Sequence, residues 1–332
     1  MNEDGTMYNA DLITSGGIVK SFSFPDGDIR GDTFYIKHLS GSFTVIDCYL
    51  KSGEGKSCRK REIINEIVSE SKGRITRFIS THPDNDHILG LEDLDNEWDI
   101  VNFYSVANDV PKDDNDTSLE RYCALKLKQD APISKGLSRA WINKDYDEVG
   151  ASGISFLWPN IENEAYKNAL SQVANTPKGE TPKPNNISCI ILYSVHDGAK
   201  YMWMGDMETD MQEEFYKECK DELGAIDVLF HPHHGRKSST PPAKLMELLD
   251  PGIIVIGNAP NEYLNRAHPD KTITQNTAGD IIFHNDQNHG LVHVYTSNDV
   301  DNMPECLTYD SNGAKLHKDM YYHGSFKPRI LN

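Results

Sequence analysis

The run from Thr81 to His87 constrains this chain more than any other. His82, Asp84, Asp86 and His87 place four candidate metal ligands within six residues, directly after the β-branched run at 75–80. A strand ending in a tight loop turns several side chains onto one point, as a water-activating centre with open coordination positions requires. The structural alternative for these residues is a solvated polar loop. Two other places repeat the pattern: Asp206 follows Gly205 at the end of an apolar run, suited to bridging two cations, and His231, His233 and His234 follow another. Each alone is weak, since an Asp after Gly is most often a cap or turn residue and a lone His is more often structural.

The surrounding chain alternates short strands with helices. Residues 17–24, 32–37 and 42–47 read as antiparallel strands, broken by Pro25, Asp26 and Gly27 and by Ser40 and Gly41. Ile63, Ile64, Ile67 and Val68 predict a helix over 59–69, and a strand follows at 75–80. Further strands are expected at 101–106, 153–157, 188–194, 201–204, 226–230, 253–256, 279–283 and 291–295. A helix is expected from Ser118 with a capping box of Thr117 and Glu120, and another with Met211, Phe215 and Cys219 on one face. Pro177, Pro182 and Pro184 make 175–186 a loop. This alternation implies an α+β fold, an αββα sandwich of two packed mixed sheets with helices on the outer faces.

Composition narrows the function. The 332 residues, 38% of them apolar, can bury a substantial core, and no apolar run is long enough to span a bilayer. Residues 1–30 show no signal-peptide pattern, so the expectation is a soluble cytoplasmic protein without a membrane partner. Cys48, Cys58, Cys123, Cys189, Cys219 and Cys306 are scattered and read as reduced thiols. A net charge of −18 disfavours tight nonspecific binding of long duplex nucleic acid and favours a small or locally gripped substrate. Trp141, Trp158 and Trp203 read as core, and His196, His231, His284, His289 and His293 as structural or surface residues.

The order of these elements resembles the metallo-β-lactamase superfamily over 31–296, and within it the hydrolase domain of the ComEC-type competence proteins and their soluble stand-alone relatives. Gly31 and Asp32, with Val45, Ile46 and Asp47, match the early strand pair, and His82, Asp84, Asp86 and His87 match a His-x-Asp-x-Asp-His signature. Asn185, Asn186, Ile187 and Ser188 match Asn-Asn-x-Ser; Gly205 and Asp206 match Gly-Asp; His233, His234 and Gly235 match His-His-Gly; Ala267, His268 and Pro269 resemble Gly-His-Pro. Asp84 stands where the commoner signature has His, a later Gly-His loop is missing, Tyr49 replaces Gly and Arg236 replaces Ser. A carboxylate-rich site is harder, which moves preference from zinc toward manganese or magnesium.

The resemblance implies one metallo-β-lactamase-like domain over 1–332, its core at about 17–297 and an extension at about 298–332. It implies two divalent metal ions, zinc or manganese with magnesium also open: His82 and Asp84 on one, Asp86 and His87 on the other, Asp206 bridging, and His233 or His234 completing the second. Asp86 is the candidate to orient or deprotonate water, and His268, Asn186, Ser188, Arg236 and Lys237 are the candidates to meet the substrate. The activity implied is that of a phosphodiesterase or nuclease acting on nucleic acid or a cyclic or linear nucleotide. A lactone, thioester or amide hydrolase on the same centre is the alternative, as is a metal-binding regulatory subunit of a defence or competence assembly. A homo-oligomer or larger assembly is left open.

Overall fold

Parallel pairing of strands separated by helices decides where the polar loops of this chain gather. The computed structural model describes residues 17–24, 31–51, 57–111, 116–145, 150–177 and 180–329. The turn expected at Pro25 to Gly27 lies outside them. The first strands are β1 (Gly17–Ser21), β2 (Phe34–Lys37), β3 (Ser42–Ile46), β4 (Ile75–Ile79), β5 (Phe103–Tyr104), β6 (Ile154–Trp158) and β7 (Ile190–Ser194). The rest are β8 (Lys200–Trp203), β9 (Val228–Phe230), β10 (Ile253–Ile256), β11 (Thr272–Thr274), β12 (Ile281–Asp286), β13 (Leu291–Thr296) and β14 (Tyr321–Phe326). The helices are α1 (Ser57–Ser71), α2 (Asn85–Ile88), α3 (Leu91–Trp98), α4 (Thr117–Lys126), α5 (Glu164–Ala174), α6 (Thr209–Cys219), α7 (Ala243–Leu249) and α8 (Gln275–Ala278).

Two mixed sheets result, one in the order β14-β13-β12-β1-β2-β3-β4-β5 and the other β11-β10-β9-β8-β7-β6. Packed together with helices, they form the α+β sandwich expected. Their inner faces meet through rings: Phe34 lies 5.0 Å from Phe230 and 6.0 Å from Trp203, and Phe283 lies 5.8 Å from Tyr201. Each such ring carries a large apolar surface, worth about 1.5–3 kcal/mol when fully buried. Trp158 and Trp203 are core residues; Trp141 is half-buried.

The helical crossovers are the feature hairpin spacing does not show. With α1 between them, β3 and β4 pair in parallel, and so do β8 and β9 around α6 and β9 and β10 around α7. Parallel strands share a direction, so the loops after β3 and β4 leave one end of their sheet and those after β8 and β9 one end of theirs, and the contact of His87 with Asp206 shows that the two ends coincide. Antiparallel β2 adds its own beginning to that end, Phe34 facing Ile46.

Several local expectations need correction. α4 is capped by Asp116, whose carboxylate accepts from the Leu119 amide at 2.9 Å, while Thr117 donates to Glu92 at 2.8 Å, so the Thr117 and Glu120 box does not form. A carboxylate one residue earlier is the better acceptor for the positive end of a helix. The strand expected at 101–106 shrinks to β5, and Val101 is 72% exposed. The extension after 298 returns as β14, an edge strand paired with β13. Cys48, Cys123, Cys189 and Cys219 are buried free thiols, Cys306 is exposed, and the Cys58 side chain lies outside the description. No helix among the described residues is long and apolar enough to cross a membrane.

Candidate metal centre

Every candidate ligand stands just outside a strand end. His82 to His87 follow β4, Asp206 follows β8, His233 and His234 follow β9, and Asp32 precedes β2. Close packing requires glycine at two of these turns. Gly205 has φ +52, and a Cβ there would meet Ser188 Oγ at 2.7 Å; Gly235 has φ +85, and a Cβ would meet Ile256 Cγ2 at 2.6 Å. His233 and His234 also lie in the left-handed region, at φ 53 and 54. Consecutive left-handed residues outside glycine are strained, and here they throw both imidazoles toward Asp206.

Three buried histidines share one orientation. His87 Nδ1 donates to Asp47 Oδ2 at 2.8 Å, and its Nε2 lies 3.0 Å from Asp206 Oδ1. His234 Nδ1 donates to Asp32 Oδ1 at 3.2 Å, and its Nε2 lies 3.3 Å from Asp86 Oδ2 and 3.5 Å from Asp206 Oδ2. His82 Nδ1 donates to Thr81 Oγ1 at 3.1 Å, and Thr81 donates in turn to Asp47 at 2.6 Å. Each Nδ1–H is thus committed, which turns the Nε2 atoms of His87 and His234 toward Asp206 and leaves that of His82 buried with its lone pair unused.

A divalent cation fits this arrangement. His82 Nε2, His87 Nε2 and Asp206 Oδ1 are buried without a hydrogen-bond partner, a costly state for polar atoms unless a cation satisfies them. Two ligands about 2.0–2.2 Å from one ion and roughly at right angles or wider stand about 3.0–3.5 Å apart, which is the spacing found here. One ligand atom each from Asp32, His87, Asp206 and His234 lies within 4.8 Å of the others. Asp86 stands outside that group of four but lies 3.3 Å from His234 Nε2. Asp86 meets His234 on Nε2, and Asp32 meets the same ring on Nδ1.

The electrostatics agree. Burial opposes charge on His87, but Asp206 and Asp47 hold its pKa well above the ordinary value. Burial acts likewise on His234, and Asp206 and Asp32 outweigh it. Asp206, despite complete burial, is held well below the carboxylate range by His87 and His234. The point where these groups meet stabilises positive charge. By contrast, burial and the neighbouring His87 push His82 down to about 3, leaving it a neutral donor. Burial and the charge of Asp86 push Asp84 up to about 6.

The other expected site residues are placed differently. Asp84 caps α2, accepting from the Asn85 amide at 2.9 Å with one of its two oxygens. His233 turns Nδ1 to Ser239 Oγ at 3.0 Å, and its Nε2 accepts from Arg236 Nη1 at 2.9 Å while lying 3.5 Å from Asp206. Ser188 is fully buried with its hydroxyl on the Asp206 amide at 3.1 Å, so it shapes the Asp206 turn and has no face for a substrate. Asn186 spends both ends of its amide on Glu208, at 3.0 Å each, and fixes the start of α6. His268 is exposed and makes no hydrogen bond to the cluster; it lines a small cavity of about 40 Å³ with His231. Lys237 is exposed, donating to the Glu262 carbonyl at 3.0 Å. The sequence places Asp47 and Asp32 only within an early strand pair, and nothing local to either signals that it holds a histidine.

No protein-family model matches the chain, and no curated protein matches it. Among solved structures it is similar to Igni18, a metallo hydrolase from the archaeon Ignicoccus hospitalis, at 16% identity and a TM-score of 0.41, over 80% of this chain and 99% of that one. It is similar to CmlA, a diiron β-hydroxylase from Streptomyces venezuelae, at 11% identity and 0.38, over 74% of this chain and 45% of that one. A long-form RNase Z from yeast matches at 10% identity and 0.39, over 80% of this chain and 41% of that one. At such scores none of the three decides the chemistry, which rests on the side chains themselves.

Proposed function

We propose that this chain is a metal-dependent hydrolase of the metallo-β-lactamase superfamily that cleaves phosphodiesters in nucleotides or short nucleic acids. The observation that carries the reading is the convergence of His87 and His234 Nε2 on Asp206, with their outward Nδ1–H groups held by Asp47 and Asp32 and with His82 Nε2 buried and unpartnered nearby. His87, Asp206 and His234, with Asp86 on His234 Nε2, would hold one divalent ion. An ion bound there would supply Lewis acidity and lower the pKa of a bound water. Asp86, whose side chain is 23% exposed, is the ligand-set carboxylate that reaches solvent, and it orients the attacking water and accepts its proton. Asp206 and His87 are sealed from solvent and keep the geometry fixed while charge develops.

The reading rests on the residues and on the resemblance of their order, and a substrate panel tests it. Purified protein supplied with zinc, manganese or magnesium is assayed on bis-nitrophenyl phosphate, nitrocefin and a lactone. Turnover of the phosphodiester that disappears in Asp86→Ala, with an unchanged melting profile, is the expected result. Turnover of the lactone alone removes the phosphodiester assignment, and full activity of Asp86→Ala removes the role given to Asp86.

A further inference from the structure

Arg236 sits beside a carboxylate-rich centre, in a chain with 51 acidic and 33 basic residues, yet among the described residues no acid pairs with it. Its Nη1 donates instead to the neutral Nε2 of His233 at 2.9 Å. The guanidinium carbon lies 5.5 Å from the ring centre of Tyr263, which fixes the guanidinium against an aromatic surface. Backbone pairing of Arg236 with Leu264 holds the two segments together. What is left is one edge: Nε is buried without a partner, and Nη2 has none among the described residues. That edge carries two parallel N–H donors in the geometry that matches two oxygens on a single phosphorus. An uncharged ester or lactone carbonyl offers it a single acceptor.

We propose that Arg236 is an oxyanion fork that grips two non-bridging oxygens of a phosphoryl group beside the metal centre, and that His233 is the positioning residue that aims it. His233 cannot give the same lone pair to Arg236 and to a cation, so His234 is the metal ligand of the pair. The inference rests on the metal-centre reading above and narrows its substrate to anionic phosphoryl groups.

Calorimetric titration of the metal-loaded protein tests it with two probes, inorganic phosphate and acetohydroxamate, the second directed at the metal alone. Phosphate binding weakens roughly ten- to a hundred-fold in Arg236→Gln, the range for loss of charge-assisted hydrogen bonds. It weakens less in Arg236→Lys, which keeps the charge without the fork and separates this loss from a folding defect. His233→Gln weakens phosphate binding while retaining wild-type metal content, and acetohydroxamate binds all the variants equally. Unchanged phosphate affinity in both Arg236 variants overturns the fork, and loss of metal from His233→Gln overturns the positioning role. A wild-type protein that binds phosphate through Arg236 but takes up neither metal nor acetohydroxamate leaves the fork standing and removes the metal reading instead.

Discussion

His87 donates its Nδ1–H to the Asp47 carboxylate across 2.8 Å while its Nε2 faces Asp206, and both partners of this hydrogen bond are buried. The bond decides which nitrogen of His87 is available to a cation. Asp47→Asn removes the charged acceptor and allows the ring to turn or change tautomer. Such partners typically contribute 10- to 100-fold in metal affinity, and competition with a chromophoric chelator is expected to show a loss in that range. Asp32→Asn should act in the same direction through His234, and a smaller loss is expected because the Asp32 contact is longer, at 3.2 Å.

Gly235→Ala is expected to destabilise the fold and disturb the centre together. The position requires φ +85, and the added methyl would lie 2.6 Å from the Cγ2 of Ile256, a buried β-branched residue in β10. Left-handed backbone and overpacking each cost about 1–3 kcal/mol. Urea denaturation should show a loss of that order, with lowered metal content because His233 and His234 share the turn. A variant as stable as the parent would show that the turn relaxes freely.

Phe283→Ala tests the sandwich itself. The ring is fully buried and touches Tyr201 and Phe230 across the two sheets. Removing it should cost about 3–5 kcal/mol, read from the denaturation midpoint, and a cost below about 1 kcal/mol would contradict the placement.

Acid should destabilise the protein through His38, remote from the centre. Its Nδ1–H donates to the Ser152 carbonyl at 2.8 Å, and its Nε2 accepts from Thr44, which in turn accepts from Arg77 at 3.1 Å. A second ring proton would turn the Thr44 hydroxyl away and put a buried positive charge close to Arg77. Burial first, then the charge of Arg77, hold the pKa well below the ordinary value. The folded pKa is therefore below the unfolded one of about 6.5. Stability from this group is complete above that pH and is lost as pH falls through 6.5 toward the folded pKa. Denaturation midpoints at pH 7.5 and 5.5 should differ more for the parent than for His38→Gln, and equal differences would contradict the assignment.

What the chain revealed on its own was the local part of this arrangement. Four residues packed into 82–87 and a His pair after an apolar run are visible without coordinates, because strand and loop are neighbours in sequence. Asp47 and Asp32 were not visible as partners, since they lie 40 and 202 residues from the histidines they hold. Only the parallel β3 and β4 pair and the antiparallel β2 bring them there. Asn186 and Ser188 stood in a telling position, but side-chain direction is set by the Glu208 and Asp206 turns. β14 carries no clear strand signal, because Tyr321 to Phe326 do not alternate between buried and exposed positions.

We propose that one buried point, shared by His87, Asp206 and His234, binds a divalent ion. Elemental analysis of the purified protein beside a His87→Ala, His234→Ala double variant tests it most directly. At least one divalent ion per chain in the parent, with its loss from a still-folded variant, is the predicted result. Equal metal in both, or none in a parent dialysed against zinc and manganese, would contradict it.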